Sequence, residues 1–156
     1  MKAVALESKG RRRGRAGTTD VIPYAASIGV RVSDTRDLIE RVEKGFPYRA
    51  FENLLARLDV SPTELIELLQ IPQRTLTRRR KAGRFAADES ERLLRLSRVL
   101  DTAVELFEGD RKGSVVWLRS PNRALNGETP LVMSKTEIGA REVENLIGRL
   151  EHGVFS

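Results

Sequence analysis

Residues 73–85 read QRTLTRRRKAGRF, and Arg74, Arg78, Arg79, Arg80, Lys81 and Arg84 place six cations there with no acidic residue among them. The whole chain carries a net charge of +6, so this stretch equals the entire excess and the remainder cancels. Charge focused in this way suits a polyanionic partner better than general solubility. Guanidinium forks match guanine O6 and N7, and a glutamine amide matches adenine, so the chemistry on offer is base reading in a DNA major groove.

Helical phase divides these residues by task. With Leu76 as the buried anchor and ~100° per residue, Thr77, Arg74, Arg78 and Lys81 fall ~100° to ~200° away, on the face opposite the core. The N-terminal end of a recognition helix reaches base edges, which makes Gln73, Arg74, Thr75 and Arg78 the base-contact candidates, with Thr77 on the same face. Lys81, Arg79 and Arg84 are expected to meet phosphates. Arg79 and Arg80 lie at roughly 300° and 40°, an orientation that also suits the protein surface or a partner in the acidic flanks. The competing reading is a solvated basic face held by Leu76 alone. A capped helix and a turn just before the basic run favour DNA. Single-stranded RNA is disfavoured, because its readers interleave aromatics with the cations, and Phe85, the only aromatic nearby, fits a core plug.

No catalytic constellation accompanies this stretch. His152 is the only histidine and there is no cysteine, which excludes thiol nucleophiles, disulfides and cysteine metal sites. A helix C-terminus, where partial positive charge is favourable, accounts for His152 better than catalysis does. GDRKGS has neither the spacing of a phosphate-cradling loop nor an apolar strand before it. The expectation is a protein that is not an enzyme and carries no metal or cofactor. No apolar run reaches the roughly 18 residues of a bilayer span, and the N-terminus lacks a secretory apolar core, so a cytoplasmic protein with no membrane partner is expected.

The elements that must position the basic stretch read as helices. Aromatics make up 5% of the chain and charged residues 32%, and long alternating runs are absent. An all-α fold follows. Residues 1–32 are expected to be a flexible basic N-terminal region, its Gly- and Arg-rich tail in 1–20; composition does not separate a phosphate-tracking arm from a solvated leader. A helix-turn-helix domain is expected over 33–108 and a second small helical module over 113–156, parted at EGDRKG. Ser33 is the expected cap of a helix burying Leu38, Ile39 and Val42 and stopping at Gly45. Pro47 is placed in the first turn of the next helix, with Phe51, Leu54, Leu55 and Leu58 on one face. Ser61, Pro62 and Glu64 make a capping box for a helix burying Leu65, Leu68 and Leu69. The chain then turns through Gln70, Ile71 and Pro72 into the basic helix, which Gly83 ends. Asp88 with Glu91 is read as a second capping box, opening a long helix with Leu93, Leu96, Leu100, Ala103 and Phe107 on one face. Beyond it, Trp117 and Leu118 close a short helix, and Asn126-Gly127 turns between two Pro-started segments. Thr136 caps a last helix whose Val143, Leu146, Ile147 and Leu150 share a face.

The segment VVWLRSPNRALNGETPLVMSKTEIGAREVENLIGRLEHGV resembles the toxin-binding domain of the Xre/MbcA/ParS antitoxins. The Trp-Leu, Pro-Asn-Xaa-Ala-Leu, Gly-Xaa-Thr-Pro-Leu and Gly-Xaa-Xaa-Xaa-Val motifs occur here in that order. The basic helix and DESERLLRLSRVL resemble the Xre-like helix-turn-helix that precedes it, and the match runs from about Phe46 to Val154. The resemblance implies an antitoxin of a type II toxin–antitoxin system. Such a protein blocks the active-site entrance of a RES-domain toxin, which consumes NAD or transfers ADP-ribose, and represses its own operon as a homodimer within a larger complex. Trp117, Pro121, Leu125, Gly127, Pro130, Leu131, Gly139 and Val143 match motif positions and are expected mostly to form the fold. Toxin contacts are expected at the end of the chain, Glu151, His152, Gly153, Val154 and Phe155, because the last two would leave apolar groups in water without a partner. Gln70 stands where that helix-turn-helix commonly has glycine, so the resemblance does not fix the turn. The rival reading is a stand-alone DNA-binding regulator whose C-terminal module only dimerises or senses a ligand.

Overall fold

The computed structural model describes residues 21–153, and among them every regular element is helical. In chain order these are α1 (Pro23–Ala26), α2 (Thr35–Lys44), α3 (Arg49–Leu58), α4 (Pro62–Leu69), α5 (Gln73–Ala82), α6 (Ala87–Leu106), α7 (Arg111–Leu118), a 3-10 turn (Arg123–Leu125), α8 (Pro130–Met133) and α9 (Glu137–Glu151). The all-α expectation holds.

Helix α6 is the spine. It spans 20 residues, about 30 Å at 1.5 Å per residue. Leu93, Leu96, Val99, Leu100 and Ala103 are buried along it, and α1, α2, α3, α4, α7 and α9 all pack against it. Residues from Ala25 to Ile147 form one continuous apolar core. Where EGDRKG breaks the helical pattern, Glu108 and Gly109 take positive φ and Asp110 caps α7, so the chain reverses there while the core passes beneath it.

Several local expectations change. Residues 1–20 of the expected flexible region lie outside the described residues, but 21–32 are packed. Ala25, Ile28, Val30 and Val32 are buried, and α1 lies on α6. Ser27 Oγ donates to Asp101 Oδ2 at 2.9 Å, and Ser97 Oγ donates to the Tyr24 carbonyl at 2.6 Å. The apolar residues of VIPYAASIGVRV carry the signal that composition averaged over 1–32 conceals. Asp34, not Ser33, caps α2, because its carboxylate accepts from Asp37 N at 2.8 Å. Ile39 is 53% exposed rather than buried.

Pro47 precedes α3 instead of opening it. It pairs with Arg84 as an isolated bridge, Tyr48 N donates to Gly83 O at 2.9 Å, and Phe85 N donates to Phe46 O at 2.9 Å. The 46–48 segment is thereby tied to the end of the basic helix. The second capping box also shifts: α6 begins at Ala87, and Glu89 rather than Glu91 reaches back, accepting from Ala86 N at 2.7 Å. A helix frame moved by two residues turns Glu89 inward, with consequences for the basic helix below.

Candidate nucleic-acid interface

Helices α4 and α5 form the expected pair. Ser61 Oγ accepts from Glu64 N at 3.1 Å and Pro62 occupies the first turn, fixing the start of α4. Leu65, Ile66, Leu68 and Leu69 are buried beneath it. The turn is left-handed at Gln70, with φ 55° and ψ 42°, and Ile71 N closes it by donating to Ile66 O at 3.0 Å. The turn thus adopts the conformation glycine favours while carrying a side chain, at a cost of about 1–2 kcal/mol. Arg92 on α6 braces it, its Nη1 donating at 3.3 Å to the carbonyls of Leu69 and Gln70.

Helix α5 carries one buried residue, Leu76, and ends at Gly83 in the left-handed region. Gln73, Arg74, Thr77, Arg78 and Lys81 are exposed and Thr75 is half-buried. Arg74, Arg78 and Lys81 form no ion pair among the described residues, so three cations stand on one open face. Thr77 Oγ1 donates to its own helix at Gln73 O, 3.1 Å away.

The other cations have work within the protein. Arg79 Nε meets Glu89 Oε1 at 2.7 Å and its Nη2 reaches Oε2 at 3.4 Å. Arg84 Nη1 donates to Gly45 O at 2.7 Å and Lys44 O at 3.4 Å, capping the C-terminal end of α2. Arg79, expected either at phosphates or paired with the acidic flank, is paired with Glu89, while Arg84, expected at phosphates, keeps an exposed side chain beside these bonds. Arg80 is exposed and lies beside Tyr48, whose hydroxyl is raised above its usual pKa by burial, with the Arg80 cation opposing. Phe85 is buried and its ring stacks on Tyr48 at 5.6 Å, the core plug expected of it. Sequence reasoning missed Glu89 and Arg92; the Glu at the third position of a helix that starts at Ala87 was the available signal.

The C-terminal half is built around α9. Thr136 Oγ1 accepts from Gly139 N at 3.0 Å as its cap. Gly139 is required by close packing, since a Cβ there would collide with the Met133 carbonyl. Leu125, Pro130, Leu131 and Val143 are buried, and Trp117 packs half-buried on Phe107 at 6.2 Å. These motif positions form the fold. Across the face of α6, Arg95 Nε and Arg98 Nη2 each bond Glu137 at 3.0 Å, and Arg98 Nε bonds Glu144 at 2.6 Å. Burial pushes the Glu137 carboxyl upward, but hydrogen bonds and charge from Arg95, Arg98 and Arg141 outweigh it and leave the pKa lowered. At the end of α9, Glu151, His152 and Gly153 are exposed, with His152 at the C-cap; Val154 and Phe155 lie outside the described residues.

Among the described residues, no helix is long and apolar enough to cross a membrane. Residues 37–98 match the sequence model of the antitoxin Xre-like helix-turn-helix domain, and 102–153 match that of the antitoxin Xre/MbcA/ParS C-terminal toxin-binding domain. The two matches meet within α6. An antitoxin Xre of Yersinia enterocolitica is 41% identical over 130 residues, covering 83% of this chain and 88% of the relative. An antitoxin Xre of Photorhabdus laumondii is 36% identical over 135 residues, covering 86% and 91%. A chain in the crystal structure of the M. tuberculosis MbcT–MbcA toxin–antitoxin complex is 26% identical with a TM-score of 0.52, covering 67% of this chain and 93% of that one.

Proposed function

The chain belongs to the Xre/MbcA/ParS antitoxin family, and from that premise we propose that it neutralises a RES-domain, NAD-consuming toxin and represses its own operon. On this reading it is a binding protein and not an enzyme. The C-terminal region blocks the toxin's active-site entrance, while a homodimer presents two α5 helices to successive major grooves of double-stranded operator DNA. The observation that carries the DNA half is the open face of α5, where Arg74, Arg78 and Lys81 stand exposed opposite Leu76 and form no ion pair among the described residues. Gln73, Arg74, Thr75 and Arg78 read bases, and Lys81 meets phosphate. The toxin half is supported by the C-terminal domain match and by the structural neighbour, which comes from a toxin–antitoxin complex.

Co-expression with the adjoining gene product tests the toxin half. The reading expects a RES-domain protein to co-purify, and expects deletion of residues 152–156 to abolish neutralisation of its NAD consumption. Co-purification of no such protein would leave the stand-alone regulator as the better account, and full neutralisation by the truncated chain would move the toxin contact elsewhere in the C-terminal domain.

A further inference from the structure

Glu89 is the most buried carboxylate of the described residues, and it points at the basic helix. Its Oε1 accepts from Arg79 Nε and from Ala86 N, each at 2.7 Å, while Oε2 faces Arg79 Nη2 at 3.4 Å. One carboxylate therefore joins the start of α6 to the last turn of α5. Beside it, Ser90 Oγ accepts from Phe46 N at 2.8 Å and donates to Ala86 O at 2.8 Å, so the residues carrying the clamp are themselves fixed.

Burying an ion pair is poor value for stability, because desolvation offsets most of the attraction and apolar replacements often do as well. A two-point fork, in contrast, fixes the relative orientation of the groups it joins. Helix α5 needs such a constraint. It buries a single residue, Leu76, and its other ties are bonds at its two ends, so Arg79 is the second side-chain anchor along its length. Arg79 lies at roughly 300° from Leu76, beside the anchor and off the open face. Clamping it holds Arg74 and Arg78 in phase and withholds one cation from phosphates.

We infer that Glu89 is a positioning residue for DNA discrimination: through Arg79 it sets the rotation of the recognition helix and keeps one cation out of sequence-independent binding. This rests on the DNA reading proposed above. Glu89 touches no DNA in this account, and its effect is on the ratio of specific to non-specific affinity.

Glu89→Gln isolates the charge, because the amide oxygen still accepts from Ala86 N. The probes are a duplex selected from a random pool by the wild-type chain and a shuffled duplex of equal length, titrated over a range of salt. The specific-to-non-specific ratio is expected to fall roughly tenfold, the scale of one displaced base-reading fork. The slope of log affinity against log salt on the shuffled duplex should steepen by about 0.9, as one cation is released to a phosphate. In Arg79→Gln/Glu89→Gln no cation is released and the slope should return to that of the wild type. A merely structural role would weaken both duplexes together and leave the slope alone. Should Glu89→Gln fail to fold, Arg79→Lys keeps the charge but loses the fork, and the ratio should fall with the slope unchanged.

An unchanged ratio in either folded single variant overturns the inference while sparing the DNA reading. A wild-type chain that enriches no sequence from the pool overturns both.

Discussion

Near its start α6 holds α5 through Glu89, 8% exposed and bonded to Arg79 at 2.7 Å, whereas at its middle it holds α9 through Arg95 and Arg98, which share Glu137 at 42% exposure. The first joint is a single pair whose carboxylate has little water around it. The second is a chain of wet pairs laid over a packed apolar seam, in which Leu96, Val99, Leu100, Val143, Leu146 and Ile147 are buried. Losing one partner of a dry pair strands a buried charge, while losing one member of a wet network lets water replace it. The joint between α6 and α5 therefore rests on one ion pair, and that between α6 and α9 on a network of them.

Breaking the dry joint should have the largest effect. Arg79→Ala leaves Glu89 buried without its counter-charge, and urea unfolding should register a loss of about 3 kcal/mol, the low end for such pairs because Arg79 is 24% exposed. A loss below that for Glu137→Gln would reverse the comparison. Glu137→Gln is expected to cost only about 1 kcal/mol at neutral pH, since its pairs are partly exposed and screened.

Acidification sharpens the same contrast. The Glu137 pKa lies below its ordinary value of 4.5, so its contribution is complete above that value and is lost as pH falls through the lowered folded value. The stability gap between wild type and Glu137→Gln should accordingly narrow as pH falls below 4.5, read from urea midpoints at neutral and acid pH. A gap that persists in acid would mean that the carboxylate's charge is not what joins α9 to α6.

The smallest effect concerns the turn between α4 and α5. Gln70→Gly relieves a left-handed residue, and the thermal midpoint should rise by the equivalent of about 0.5–1 kcal/mol, the left-handed penalty less the entropy glycine adds to the unfolded chain. No rise would mean that the bonds from Arg92 already offset the strain.

Much of this was legible before the structure, and the reasons are local. Helix α4 was readable because Ser61, Pro62 and Glu64 act within one turn, and the phase of α5 followed from Leu76 alone. Trp117, Gly139 and Val143 were marked by the ordered motifs that carry the resemblance. What was not legible depends on partners distant in sequence. That Arg84 Nη1 also donates to the Gly45 carbonyl, brought close by the Pro47–Arg84 bridge, depends on a residue 39 positions away and is invisible to local spacing. Arg79 reads from its phase as a phosphate contact or a partner of the acidic flank, and which carboxylate it meets appears only once α6 starts at Ala87 and turns Glu89 inward. Residues 21–32 read as part of a basic leader because their apolar positions have no helical period long enough to announce burial, and only α6 reveals the surface they cover.

The central claim is that the open face of α5 reads DNA while the C-terminal half binds toxin. Its most direct test is the affinity of Arg78→Ala for a duplex selected by the wild-type chain, measured beside capture of the adjoining gene product. The account predicts a loss of about 1–3 kcal/mol in specific binding, with capture unchanged. Unchanged specific affinity would contradict the assignment of Arg78 to a base, and loss of both activities together would contradict their separation into two halves of the molecule.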